Sequence, residues 1–163
     1  MNTQLLEHQQ KLPRALAISG EVFDDAWRVT VASTLNADRG RIFHALTVPE
    51  YIEAWLCPPG NVQHQPSVWR TPNGFRIECR IQSNQEIDID GSYMMLRRSK
   101  VLFTWRKDVL PHGPSSLVLI RLYGEFARTR VCLDHVGLAS FEEQRWHQDM
   151  WMASLAKLSA LFK

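Results

Sequence analysis

Arg41-Ile-Phe-His-Ala-Leu-Thr-Val-Pro-Glu-Tyr-Ile-Glu-Ala-Trp55 is the stretch on which the fold turns. Ile42, Phe43, Ala45 and Leu46 give a first short helix its apolar face, and Asn36 stands ahead of it as a helix cap. Thr47-Val48-Pro49-Glu50 then reads as a capping box with proline in the first turn, so a second short helix starts at once and carries Tyr51, Ile52 and Trp55. Cys57-Pro58-Pro59-Gly60 ends that helix, because paired prolines cannot continue it. Two short helices back to back are too small to bury themselves and need a sheet to lie against.

Working outward, the preceding run from Trp27 to Leu35 is rich in β-branched and apolar residues and predicts a strand. Downstream the chain reads as an antiparallel meander. Pro72-Asn73-Gly74 is a turn between Val62–Trp69 and Phe75–Ile81, and the second run alternates Phe75, Ile77, Cys79 and Ile81 against Arg76, Glu78 and Arg80. One face is therefore buried and the other solvated. Further strands are predicted over Ile87–Leu96, Lys100–Lys107, Ser116–Gly124 and Thr129–Val136. Ser140-Phe141-Glu142-Glu143 is a second capping box, opening a closing helix to about Phe162 that ends Trp151-Met-Ala-Ser-Leu-Ala-Lys-Leu-Ser-Ala-Leu-Phe162. On a helical wheel Trp151, Leu155, Leu158 and Phe162 form one stripe, flanked by His147, Ser154 and Leu161, which should face the sheet. Trp146, Met150, Ala153 and Ala160 fall on another side, for which the alternatives are the N-terminal segment or a homodimer or partner surface.

The 163 residues, 45% hydrophobic, suit one domain with a sizeable core. Residues 27–163 form that domain and residues 1–26 an N-terminal extension, in which Leu5, Leu6, Gln9, Leu12 and Leu16 follow helical spacing until Pro13 interrupts it. A net charge of +2 and a pI of about 8.5, with the basic residues dispersed, give no electrostatic footprint for nucleic acid. Cys57, Cys79 and Cys132 are odd in number and widely spaced, which argues for reduced thiols in a cytoplasmic protein. Apolar runs are strand-sized and the start of the chain lacks a signal-peptide pattern, so no membrane association is expected.

At these residues the chain resembles the SRPBCC superfamily of START and birch-allergen-like proteins, and within it the family named for activator of heat-shock-protein ATPase homologues. Arg39 to Glu50 is similar to that family's Arg-x-x-Val-Trp-Arg-Ala-Leu-Thr-Asp-Pro-Glu, with Val48 where Asp is usual and Asp38 where Pro is frequent just before it. Gly91-Ser92-Tyr93 and Val101-Leu102-Phe103-Thr104-Trp105 resemble its central strands. His147-x-x-Met150-Trp151 resembles its closing helix, with Met150 in the place usually held by Gly. The likeness spans about Val29 to Phe162. It implies an α+β helix-grip fold: a curved antiparallel sheet wrapped around a long C-terminal helix, with two short helices after the first strand.

That resemblance implies binding of a small hydrophobic ligand between sheet and helix; no Gly-rich phosphate loop, Ser-centred elbow or Walker signature occurs, so neither catalysis nor a cofactor is expected. The lining candidates are Trp55, Phe75, Ile77, Tyr93, Phe103, Trp105, Ile120, His147 and Trp151; the alternative is that the same side chains fill a solid core. The family name implies a second reading, a stress-response co-chaperone that binds and stimulates a heat-shock ATPase. A third is a small cavity enzyme of hydrolase or cyclase type using His147, although the sequence supplies no orienting partner for the imidazole. Asp88 and Asp90 share a strand face, where cross-strand ion pairs with Arg76 and Arg80 are the simpler reading than a catalytic carboxylate pair. Cys79 lies on the apolar face of its strand and reads as a buried thiol. His44, His64, His112 and His135 lack the spacing of metal ligands.

Overall fold

The computed structural model describes residues 27–59, 65–80, 85–107 and 115–163. The N-terminal extension, His64, His112 and the outer ends of the strands expected from Val62 and to Ile81 lie outside the described residues. The elements are β1 (Val29–Leu35), α1 (Arg39–Thr47), α2 (Pro49–Trp55), β2 (Ser67–Thr71), β3 (Gly74–Arg80), β4 (Glu86–Arg97), β5 (Lys100–Lys107), β6 (Ser116–Glu125), β7 (Arg128–Val136) and α3 (Phe141–Ala160). Seven antiparallel strands form one curved sheet in the order β1-β7-β6-β5-β4-β3-β2. Consecutive strands from β2 to β7 are neighbours, as short hairpin connections require. The exception is β1, which pairs with β7 at the far edge, so that α1 and α2 carry the chain from one edge of the sheet to the other.

Helix starts differ from expectation in two places. Asp38, not Asn36, caps α1, its carboxylate accepting from the Arg41 backbone N–H at 3.1 Å. The box at Thr47 does not form: Val48 occupies the cap of α2 without a side-chain bond, and the Thr47 hydroxyl instead donates to the Phe43 carbonyl at 2.8 Å. Helix α1 runs on to Thr47, so that hydroxyl is spent on a carbonyl one turn back. At α3 the Ser140 oxygen does accept from the Glu143 N–H (3.2 Å), while the Glu143 carboxylate reaches Lys107 at 3.1 Å across the domain. β1 starts at Val29, two residues later than expected.

Alternation sorts the strands into two faces. Ile77, Ile89, Val101, Phe103, Trp105, Val118, Ile120, Leu122, Val131 and Leu133 point to the concave side and join α1, α2 and α3 in the main core. The buried arc of α3 is broader than one stripe: His147, Met150, Trp151, Ser154, Leu155 and Leu158 are all inside. Met150 is fully buried, so it belongs to the domain's own core and not to a second exposed face, whereas Ala160 remains exposed. Trp146 is half-buried, with the Lys107 ammonium 4.2 Å from its ring centroid.

The convex face carries a smaller cluster of Leu102, Leu117, Leu119 and Val136 with Met95 against it. Beside it Asp134 is buried and holds Arg28 (2.7 Å), the Thr30 hydroxyl (2.8 Å) and Arg121 (2.5 Å). Burial opposes ionisation of that carboxyl, but these donors outweigh it and keep its pKa below the ordinary value. Nearer the solvent, Arg76 spans Glu78, Asp88 and Asp90 at 3.4, 3.1 and 3.8 Å, which places both aspartates in a cross-strand ion network on the solvated face.

Candidate functional site

Between the concave face, α2 and α3 lies an apolar hollow lined by Leu46, Ile52, Trp55, Leu56, Phe75, Ile77, Tyr93, Phe103, Trp105, Ile120 and Trp151. Eight of the nine sequence candidates are in this wall; His147 is not. The volume left between the side chains is about 20 Å³, little more than the room one water needs. The side chains thus leave little open space between sheet and helix.

Phe75 is one of the aromatic side chains that line the hollow. Its ring meets Tyr93, Phe103 and Trp105 at centroid distances of 5.6, 5.3 and 6.2 Å, in edge-on or tilted arrangements that suit the ring quadrupoles. The ring has room because Gly91 stands opposite Phe75 in the β3–β4 ladder: a Cβ on Gly91 would lie 2.2 Å from the Phe75 ring. A register shift between Tyr93 and Met95 then turns the strand, so that Tyr93 still faces the hollow while Met95 joins the convex cluster.

Behind the wall, the indoles are held by two buried histidines. Trp105 Nε1–H donates to His147 Nε2 at 3.1 Å, and Nδ1–H of that imidazole donates to the Glu143 carbonyl at 2.7 Å. Trp151 Nε1–H donates to His135 Nδ1 at 3.0 Å, leaving His135 Nε2–H to donate to the Ser116 hydroxyl at 2.7 Å, which donates in turn to the Trp105 carbonyl at 3.0 Å. An indole nitrogen can only donate, so each bonded imidazole nitrogen must be the unprotonated one. Both histidines are thereby fixed as neutral, in opposite tautomers. The third indole of the wall, Trp55, donates to the Ala45 carbonyl at 2.8 Å and ties α2 to α1.

Burial reinforces the neutral state. The His147 pKa falls from 6.5 to about 4, desolvation outweighing the opposing pull of the Glu143 carbonyl and carboxylate, with Lys107 adding to the decrease. His135 lies well below its ordinary value, first through burial and then through His147, whose ring centroid is 4.6 Å away. His147 thus has both ring nitrogens occupied and faces the Trp105 edge, which makes it a support of the wall. The sequence placed it correctly beside Trp151 but held no signal for the Trp105 or Glu143 contacts. Leu46 and Ile52, also in the wall, were legible as helix-face apolar residues but not as neighbours of the hollow, and Leu56 carried no reading of its own.

The family model described as Activator of Hsp90 ATPase homolog 1-like protein matches residues 36–163. Comparison with curated proteins gives no match. Among solved structures, a protein from Chromobacterium violaceum aligns with a TM-score of 0.71 at 20% identity, over 83% of this chain and 96% of its own. The AHSA1 protein from Silicibacter pomeroyi aligns with a TM-score of 0.67 at 20% identity, over 82% and 95%. DynU16, described as a putative protein in the dynemicin biosynthetic locus, aligns with a TM-score of 0.58 at 21% identity, over 84% of this chain and 46% of its own. At these identities the likeness to solved structures is one of fold. The sequence match over residues 36–163 goes further, and with the sheet, paired short helices and closing helix now described, the chain belongs to the family of Activator of Hsp90 ATPase homolog 1-like proteins.

Proposed function

We propose that this protein binds a small apolar molecule between the sheet and α3, without chemical transformation. The observation that carries the reading is the composition of the hollow: eleven apolar or aromatic side chains converge there, while the polar atoms of the surrounding network are paired among themselves. Because the resting volume is about 20 Å³, the ligand enters by displacing Phe75, whose ring is held by aromatic edges and by no hydrogen bond of its own. Burial of ligand surface, at about 25 cal/mol per Å² before entropic losses, drives the exchange. His147 is a wall support in this reading and performs no proton transfer.

The reading is tested with 1-naphthaleneacetamide as a neutral aromatic probe, titrated by tryptophan fluorescence and by thermal denaturation. Wild-type protein should show saturable binding and a higher melting temperature. Phe75→Ala should lose about 3–5 kcal/mol of stability from the cavity it opens, and should bind the probe more tightly because the ring to be displaced has been removed. Absence of saturable binding by both proteins refutes the reading. The family name points to another role, engagement of a heat-shock ATPase; capture of such an ATPase by the full chain, with no probe binding, would favour it.

A further inference from the structure

Three arginines line two grooves beside α1, and Arg70 is the one that shares its groove with Tyr93. Both grooves are open. The first, about 360 Å³, runs between α1 and the β2–β3 turn and includes Arg70, Phe43 and Tyr93. The second, about 610 Å³, runs along α1 and includes Arg41, Arg98 and again Phe43. Tyr93 is at once a wall of the inner hollow and part of the first groove, and Phe43 joins the first groove to the second. Tyr93 thus stands between the hollow and the first groove.

The charges along this route are one-sided. Arg70 pairs with Phe75 in the β2–β3 ladder, so both side chains project from the same face, with Arg70 on the edge strand. Its charge also acts on the Tyr93 phenol, opposing the rise in pKa that burial causes. Among the described residues, none of Arg41, Arg70 and Arg98 makes an ion pair with a carboxylate, as is true also of Arg39, Arg97, Arg128, Arg130 and Arg145, and the Arg41 guanidinium lies 5.3 Å from the Phe162 ring centroid. The one carboxylate lining either groove is Asp38, whose oxygen is engaged in capping α1. The exposed Arg70 guanidinium, separated from the apolar hollow by Tyr93, offers a planar fork that matches a carboxylate.

We propose that the ligand is an amphipathic carboxylate, its apolar body passing Tyr93 into the hollow and its anionic end remaining outside on Arg70, with Arg98 and Arg41 beyond it. This rests on the binding role proposed above and adds to it the charge and orientation of the ligand.

The test compares 1-naphthaleneacetate with 1-naphthaleneacetamide, which share a ring system and differ in charge, by calorimetric titration of the full chain at low and high salt. Wild-type protein should bind the acetate about two- to fivefold more tightly, the scale of an exposed ion pair, and salt should erode that margin. Arg70→Gln should bring the acetate down towards the amide, and adding Arg98→Gln should complete the loss. Arg80→Gln, on the other face of β3, should keep the preference. Equal binding of the two probes, or a preference that survives both substitutions, overturns the inference while leaving the apolar hollow as a binding site. Binding of neither probe overturns both.

Discussion

Acid should destabilise this domain well before its carboxylates protonate, and the buried histidines set the window. His147 titrates near 6.5 when unfolded and at about 4 when folded, so between those values the unfolded chain binds more protons and stability falls as pH falls. Above 6.5 both states are neutral at this site and nothing is lost. The difference integrates to about 2 kcal/mol by pH 5 and about 3 kcal/mol by pH 4 for His147 alone. His135 acts in the same direction, its folded value also being depressed. The charged groups facing His147 are few: Glu143 on its own helix and Lys107 on β5, with His135 on β7 across from it. Urea denaturation from pH 7.5 to 4.5 should show a midpoint that is flat above 6.5 and falls steadily below it. Asp134 contributes only further down, because its stabilisation is present above the ordinary carboxylate value and is lost as pH falls through its lower folded value. His147→Gln should shallow the slope between pH 6.5 and 4.5, and His135→Gln should shallow it again. A midpoint that stays constant to pH 5, or an unchanged slope in His147→Gln, would refute the assignment of two neutral, doubly bonded imidazoles.

Gly91→Ala places a methyl group where the Phe75 ring now lies, at 2.2 Å; a loss of about 1–3 kcal/mol is expected by chemical denaturation. In a double-mutant cycle that penalty should largely vanish on a Phe75→Ala background, whereas additive losses would show that the clash is not with this ring. Asp134→Ala strands Arg28 and Arg121 on the convex face; it should cost about 3 kcal/mol in urea denaturation, and a loss below 1 kcal/mol would mean the guanidinium groups rehydrate freely.

The helices and most strands were legible because their signals are local. The alternation of Phe75, Ile77 and Cys79 against Arg76, Glu78 and Arg80 appears in β3 as written, and the ion network of Asp88 and Asp90 follows from it. Caps were less legible. Asn36 and Thr47 have the right chemistry at neighbouring positions, but which residue caps depends on where the chain leaves the sheet and where α1 stops. Met150 was misplaced because a wheel assumes one contact surface, whereas α3 lies within a curved sheet that covers a broader arc of it.

By itself, then, the order of residues determined two short helices, a meander and a closing amphipathic helix, and it put Phe75, Ile77 and Trp151 on inward faces, because periods of 2 and 3.6 are properties of the backbone that read out within a few positions; the other wall candidates came from the family resemblance. Only the tertiary structure decided that Phe75 meets Tyr93, Phe103 and Trp105 in the hollow, that Trp105 and Trp151 each find a histidine 42 and 16 residues away, and that Arg70 stands across the ladder from Phe75. The physical reason is range. Packing volume, tautomer and charge surroundings depend on atoms a few ångströms apart that chain connectivity leaves far apart, and strand register alone brings them together.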